Sequence, residues 1–206
     1  MKKPFILIFI VLIIDQVLKI WIKLNMTIGQ EISLIGSWCK IHFIENEGMA
    51  FGMSFGGDWG KLLLMYLRKL IKRKESKLII YSMALIFAGA VGNIIDSMFY
   101  GLVFSESTFF QQAVMFQGGY SSFLYGKVVD MFYFPLIDTT FPLWMPFVAG
   151  EPFRFFNAIF NIADISITIG VCLLIISLLF VPKGKREISA SIEKEEKEEG
   201  IENNNI

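Results

Sequence analysis

A few of the 19 acidic residues in this 206-residue chain stand in stretches otherwise too apolar to hold a charge. Asp15, Asp96 and Asp164 interrupt the runs FILIFIVLIIDQVLK, GAVGNIIDSMFYG and FNIADISITIG, and Asp130 follows two valines in VVDMFYFP. An ionisable group at membrane depth is costly, so each one asks for a partner or a function. Asp15 has Lys19 at i,i+4, which puts opposite charges on one helix face, and this pair is equally well explained as interhelical glue. For Asp130 and Asp164 the sequence offers no obvious basic partner. Two carboxylates held together cannot both ionise readily, so they share a proton; one then activates water while the other donates to a carbonyl oxygen. Amides at Asn46, Asn93 and Asn161 could donate to such a pair or to a tetrahedral oxyanion.

Other chemistries lack their parts. The one imidazole, His42, sits in the alternating stretch CKIHFIE, where it is an ordinary strand residue and no base for a serine or cysteine nucleophile. A serine with a lysine base would need Lys19, already matched to Asp15. With Cys39, Cys172 and no HExxH run, neither a zinc site nor a disulfide framework is expected, and no cofactor is implied.

The elements that must position these groups are membrane helices. Hydrophobic residues make up 54% of the chain and its mean hydropathy is +0.57, well above a typical soluble domain. Lys+Arg balance Asp+Glu at 19 each, which disfavours a nucleic-acid-binding surface. A bilayer core takes roughly 20 apolar residues as a helix, and residues 4–24, 78–100 and 157–181 meet that test. No small-residue cleavage site follows the first, so it is expected to be retained. The stretch 50–71 is a poor span, carrying Asp58, Lys61, Arg68 and Lys69. Parity nonetheless requires it to cross: Lys2 and Lys3, the cluster Arg68 to Lys77, and Lys183, Lys185 and Arg186 all belong on the cytoplasmic side. The expected fold is thus an all-α membrane protein of four transmembrane helices with both termini cytoplasmic. Residues 1–182 form the membrane domain, and 183–206 a charged, disordered cytoplasmic tail.

The outer face receives residues 25–56, with short strands, and 101–156, rich in Phe, Tyr, Gly and Pro. The aromatics of FYFPLIDTTFPLWMPF suit the headgroup region. On the last helix Asn157, Asn161, Asp164 and Thr168 fall at intervals of 4, 3 and 4 and form one polar stripe. Topology alone gathers these carboxylates and amides from five segments at the outer side. An ion or proton transporter would also use intramembrane Asp residues, but it needs a polar route to the inner face, and the inner halves of the helices carry almost none. A non-catalytic scaffold leaves Asp130 and Asp164 unexplained.

Five motifs in order, DQVLK, FIENEGMAFG, GAVGNIIDSMFYG, VVDMFYFP and FNIADISITIG, make the chain resemble the bacterial lipoprotein signal peptidases, or signal peptidase II. The resemblance implies a bacterial inner-membrane aspartyl endopeptidase that cuts prolipoproteins just before the diacylglyceryl-modified cysteine. It implies Asp130 and Asp164 as the catalytic pair, Asn46, Asn93, Asp96 and Asn161 lining the site, and Asp15 and Lys19 supporting the fold. It also implies a β-rich extracytoplasmic cradle at 25–56, a long extracytoplasmic helix or loop within 101–156, contact with membrane lipid, globomycin-type inhibition and a monomer. Ser97 stands where the family usually has Arg, which leaves Lys127 or Arg154 to supply a substrate-facing cation. The stretches Val103 to Tyr125 and before Phe156 are longer than the usual family loops, and the second span is shorter.

Overall fold

The computed structural model describes residues 2–47, 65–71 and 75–180, apart from the side chains of Asp138 and Arg154. Three of its helices are long and apolar enough to cross a membrane. Helix α1 spans Lys3–Asn25, with Pro4 in its first turn, where a missing N–H costs nothing. Helix α2 spans Lys77–Ile95 and starts at Ser76, whose hydroxyl accepts the Ile79 N–H at 3.3 Å. It runs on through a π turn at Asp96–Tyr100 and a last turn at Gly101–Val103. Helix α3 spans Ile162–Phe180.

The run AGAVG in α2 lets backbones meet. A Cβ on Gly89 would stand 2.2 Å from the Ala163 carbonyl oxygen, and one on Gly92 2.8 Å from Asp15 Oδ2. Small residues at such crossings replace the hydrophobic drive that lipid cannot supply between helices. Around this seam Ile8, Ile79, Met83, Ala84 and Ala88 are buried. Of the expected crossing at 50–71, residues 50–64 lie outside the described residues. Residues 65–71 are helical and bury Leu67 and Leu70 in the same cluster. Large apolar side chains on the other faces stay exposed, among them Phe9, Val17 and Trp21 of α1 and Leu179 and Phe180 of α3. In a membrane protein those faces meet lipid.

The chain is not all helix. Strands β1 (Glu31–Ile35), β2 (Cys39–Asn46) and β3 (Val128–Tyr133) form an antiparallel sheet in chain order, completed by the short β6 (Ile159–Phe160) beside β3. Strands β4 (Ile137–Thr140) and β5 (Pro152–Phe155) pair as a separate hairpin. The sheet covers one end of the bundle, where Ile22, Met26, Phe43, Tyr100, Phe104, Val129 and Met131 make a second buried cluster. Lys23, at the end of α1, is fully buried there and ion-paired to Glu45 of β2, with Ser107 Oγ 3.0 Å from its Nζ and donating to Glu45 at 2.8 Å. The segment 104–127 is thereby fastened to both the helix and the sheet.

The third long helix begins at Ile162, not near residue 157. Residues 159–160 pair with β3 instead, and Asn161 ends the extended run by capping the helix. Asn157 therefore leaves the expected helical stripe, and its side chain accepts the Tyr133 hydroxyl at 2.9 Å.

The α2–α3 seam has no room for a methyl group at Gly89. Gly89→Ala is expected to destabilise the fold by about 1–3 kcal/mol, the usual cost of overpacking, measured against wild type by denaturant unfolding in detergent micelles.

Candidate active site

The start of α3 holds the geometry together. A helix leaves its first N–H groups without intrahelical acceptors, and here side chains take them. Asn161 Oδ1 accepts from Asp164 N at 3.0 Å, and Asp164 Oδ2 accepts from Asn161 N at 3.3 Å. This is a reciprocal capping box in which the third helical residue is an aspartate. Ala163 N donates to Asp15 Oδ1 of α1 at 2.9 Å. One turn of helix thus requires both Asp15 and Asp164 as acceptors.

Behind that turn lies a buried ionic cluster. Lys19 Nζ is 2.9 Å from Asp15 Oδ2 and 2.8 Å from Asp96 Oδ2, and all three residues are fully buried. Gln16 donates to Asp96 Oδ1 at 2.8 Å, to Asp15 Oδ2 at 3.2 Å and to the Gly92 carbonyl at 3.2 Å, and accepts from the Tyr100 hydroxyl at 3.2 Å. Tyr100 closes the π turn that begins at Asp96. An inserted residue in a helix is often found where a side chain must be re-aimed at a site.

From the cluster, two asparagines lead outward to the other carboxylates. Lys19 Nζ donates to Asn93 Oδ1 at 2.8 Å, and Asn161 Nδ2 donates to the same oxygen at 3.2 Å. With its oxygen so occupied, Asn93 must turn its NH2 the other way, and Nδ2 donates to Asp164 Oδ1 at 2.9 Å. Asn161 Nδ2 also donates to Asp130 Oδ1 at 2.7 Å and to the Val129 carbonyl at 3.3 Å. Asp130 and Asp164, from a strand and a helix of different segments, are therefore joined through one amide. Asp130 is buried and Asp164 half-buried. Burial, with the nearby Asp164 charge adding to it, pushes the Asp130 carboxyl up to about 7, against which the Asn161 hydrogen bond works.

A model of the family described as signal peptidase (SPase) II matches residues 7–180. The chain belongs to the signal peptidase II family. It is 44% identical to a lipoprotein signal peptidase of Porphyromonas gingivalis over 92% of this chain and 93% of that one. It is 36% identical to one of Amoebophilus asiaticus over 80% of this chain and 72% of that one. Its fold is similar to that of a bacterial membrane enzyme solved by the in meso method at 1.9 Å resolution, with a TM-score of 0.54 and 27% identity over 88% of this chain and 96% of the other. The family match gives no support to the transporter reading.

Within this signal peptidase II chain, Asp15, Lys19, Asn93, Asp96, Asp130, Asn161 and Asp164 form one continuous hydrogen-bonded set. Asp96 is fully buried beside Lys19, with Oδ2 also accepting Val129 N at 3.4 Å. Asn46 stands at the exposed end of β2, opposite Val128 and two residues along from the Ile44–Asp130 pair. Sequence reasoning missed Gln16, Tyr100 and the Lys23–Glu45 pair. The signal for Lys23 was present, since 15, 19 and 23 repeat at i+4 along one face of α1.

Lys19 neutralises two buried carboxylates at once. Lys19→Met is expected to cost about 3–5 kcal/mol, the penalty for stranding a buried charge. Asn93→Leu, which strands no charge, is expected to cost less stability, and unfolding titrations of the two variants in detergent check the difference.

Proposed function

We propose that Asp130 and Asp164 are the catalytic dyad with which this signal peptidase II removes signal peptides from prolipoproteins. The carrying observation is the Asn161 bridge: its side-chain NH2 donates to the Asp130 carboxylate and its backbone N to the Asp164 carboxylate, while among the described residues no cation pairs with either, and Lys19 reaches Asp164 only through Asn93. The pair is thus aligned without a direct ion pair to suppress its proton sharing. Asp164 accepts two N–H groups and sits in the first turn of α3, where the helix dipole favours negative charge. Asp130, pushed up to about 7, is the member that carries the proton. Asp164 removes a proton from water, whose oxygen adds to the scissile carbonyl carbon as Asp130 hands its proton to the carbonyl oxygen. Collapse of the tetrahedral intermediate breaks the C–N bond, the leaving nitrogen takes up a proton from the dyad, and the new carboxyl group leaves with the signal peptide.

The same reading places cleavage just before the diacylglyceryl cysteine at the outer face, with four crossings, both termini cytoplasmic, the sheet as a cradle, residues 1–182 as the membrane domain and 183–206 as a tail. The helical residues 65–71, with Leu67 and Leu70 buried against the bundle, support the fourth crossing. Asn46, at the end of β2, would meet the substrate backbone. Globomycin-type inhibitors, membrane lipid and a monomeric state belong to this proposal as well. For the cation that Ser97 does not supply, the backbone favours Lys127: Gly126 N donates to Ser97 O at 2.8 Å, so Lys127, the residue just before β3, follows directly on that position.

Asp130→Asn and Asp164→Asn are each expected to lower cleavage of a diacylglyceryl prolipoprotein below detection in a gel-shift assay while leaving thermal unfolding in detergent near wild type. Loss of folding with both would mean that the carboxylates serve packing alone. The pH profile follows from the sign of the Asp130 shift. A raised carboxyl keeps its proton below about pH 7 and loses it above, so kcat should fall about tenfold per pH unit on the alkaline side. Asn161→Ala removes a hydrogen bond that favours the ionised form, and should carry that limb to higher pH.

A further inference from the structure

The β4–β5 hairpin presents an apolar tip that nothing in the catalytic reading uses. From Thr139 to Gly150 the sequence TTFPLWMPFVAG contains no charged residue. Leu143, Trp144 and Phe147 are 86%, 79% and 102% exposed, values that few large apolar side chains reach in water without a partner. The tip is built, not loose. Phe141 and Phe153 pack ring to ring at 5.0 Å at its base. Phe141 N donates to Glu151 O at 2.9 Å, Gly150 N to Phe141 O at 3.1 Å and Met145 N to Pro142 O at 3.0 Å. Phe147 is held at φ 72, a left-handed conformation that a bulky side chain avoids. The fold therefore spends order and strain on showing an aromatic to its surroundings.

The position of the hairpin indicates what those surroundings are. Strand β5 ends at Phe155 and the spanning helix α3 begins at Ile162. Phe155 and Phe156, both exposed, stand in the chain between the hairpin and that helix. A four-residue strand reaches only about 13 Å, so the tip stays within reach of the bilayer surface that α3 enters. Trp, Phe and Leu without charge is the composition of an interfacial belt.

We propose that the β4–β5 hairpin is a membrane-interface anchor, with Leu143, Trp144 and Phe147 seated among the headgroups and upper acyl chains of the leaflet at the catalytic end of the bundle. The occupant of this surface is lipid. Such an anchor sets the height and tilt of the sheet edge and of Asp130 relative to the leaflet, from which a lipid-modified substrate must arrive. It stands independently of the dyad assignment.

The test is depth-resolved quenching of Trp144 in the full chain, reconstituted in nanodiscs of phosphatidylcholine and phosphatidylglycerol. The Trp144 signal is the emission lost between wild type and Trp144→Phe, which removes the contributions of the other tryptophans. Replacing phosphatidylcholine by forms brominated high or deep on the acyl chain should quench this component, more strongly with the high bromines, and aqueous iodide should leave it nearly unchanged. Quenching by iodide with no effect of bromine would overturn the proposal by placing the tip in water. A component protected from both quenchers would overturn it too, since a protein surface, a second copy or another partner, would then cover the tip.

Discussion

A lysine ammonium buried between apolar helices has to be compensated within hydrogen-bonding distance, and the arrangement of this bundle follows from how Lys19 is compensated. Its charge is met by Asp15 from its own helix and Asp96 from α2, with Asn93 taking the third direction. Buried ion pairs add little net stability because desolvation offsets their attraction. What they supply here is uniqueness of assembly. Sliding or rotating α2 against α1 would strand two carboxylates and an ammonium in a medium that cannot solvate them. Asp15 extends the constraint to the third helix by accepting Ala163 N, and α2 meets the same residue backbone to backbone, since a Cβ on Gly89 would stand 2.2 Å from the Ala163 carbonyl oxygen.

The same cluster explains how Asp130, buried, and Asp164, half-buried, are held with neutral amides rather than a cation against them. A cation touching either carboxylate would hold it ionised and end any sharing of a proton. Asn93 and Asn161 stand between, and each amide has its oxygen committed: one to Lys19 and Asn161, the other to the helix N–H of Asp164. Their NH2 groups are then left to face the carboxylates. The charge of Lys19 thus fixes amide orientation at one remove, and Asp130 and Asp164 receive neutral donors.

How much of this the sequence discloses depends on the range over which each signal acts. Periodicity and apolar length are local, so α1, α2 and α3 are legible, as is the i,i+4 relation of Asp15 and Lys19. The gathering of Asp96, Asn93 and Asp164 at one end follows from chain direction alone. Pairings across segments are not local. Nothing in the spacing couples Lys19 to Asp96 rather than to Asp15 alone, or Lys23 to Glu45. The start of α3 misleads for a related reason: Asn157, Asn161, Asp164 and Thr168 keep helical spacing, yet strand pairing with β3 outcompetes helix formation for Ile159 and Phe160. A stripe read as one helical face is a strand-side acceptor, a cap and a first turn.

That substitution of cap for stripe matters chemically. Had the helix begun at residue 157, Asn161 would have been an interior residue with its side chain competing against its own backbone. As the cap, it has one oxygen anchored on Asp164 N and its NH2 aimed at β3, the strand that carries Asp130. The helix terminus and the sheet therefore meet through a side chain whose rotation is already fixed by the requirements of helix capping. The alignment of two carboxylates from distant segments is, on this geometry, a by-product of satisfying the first turn of α3. It persists as long as that helix starts where it does.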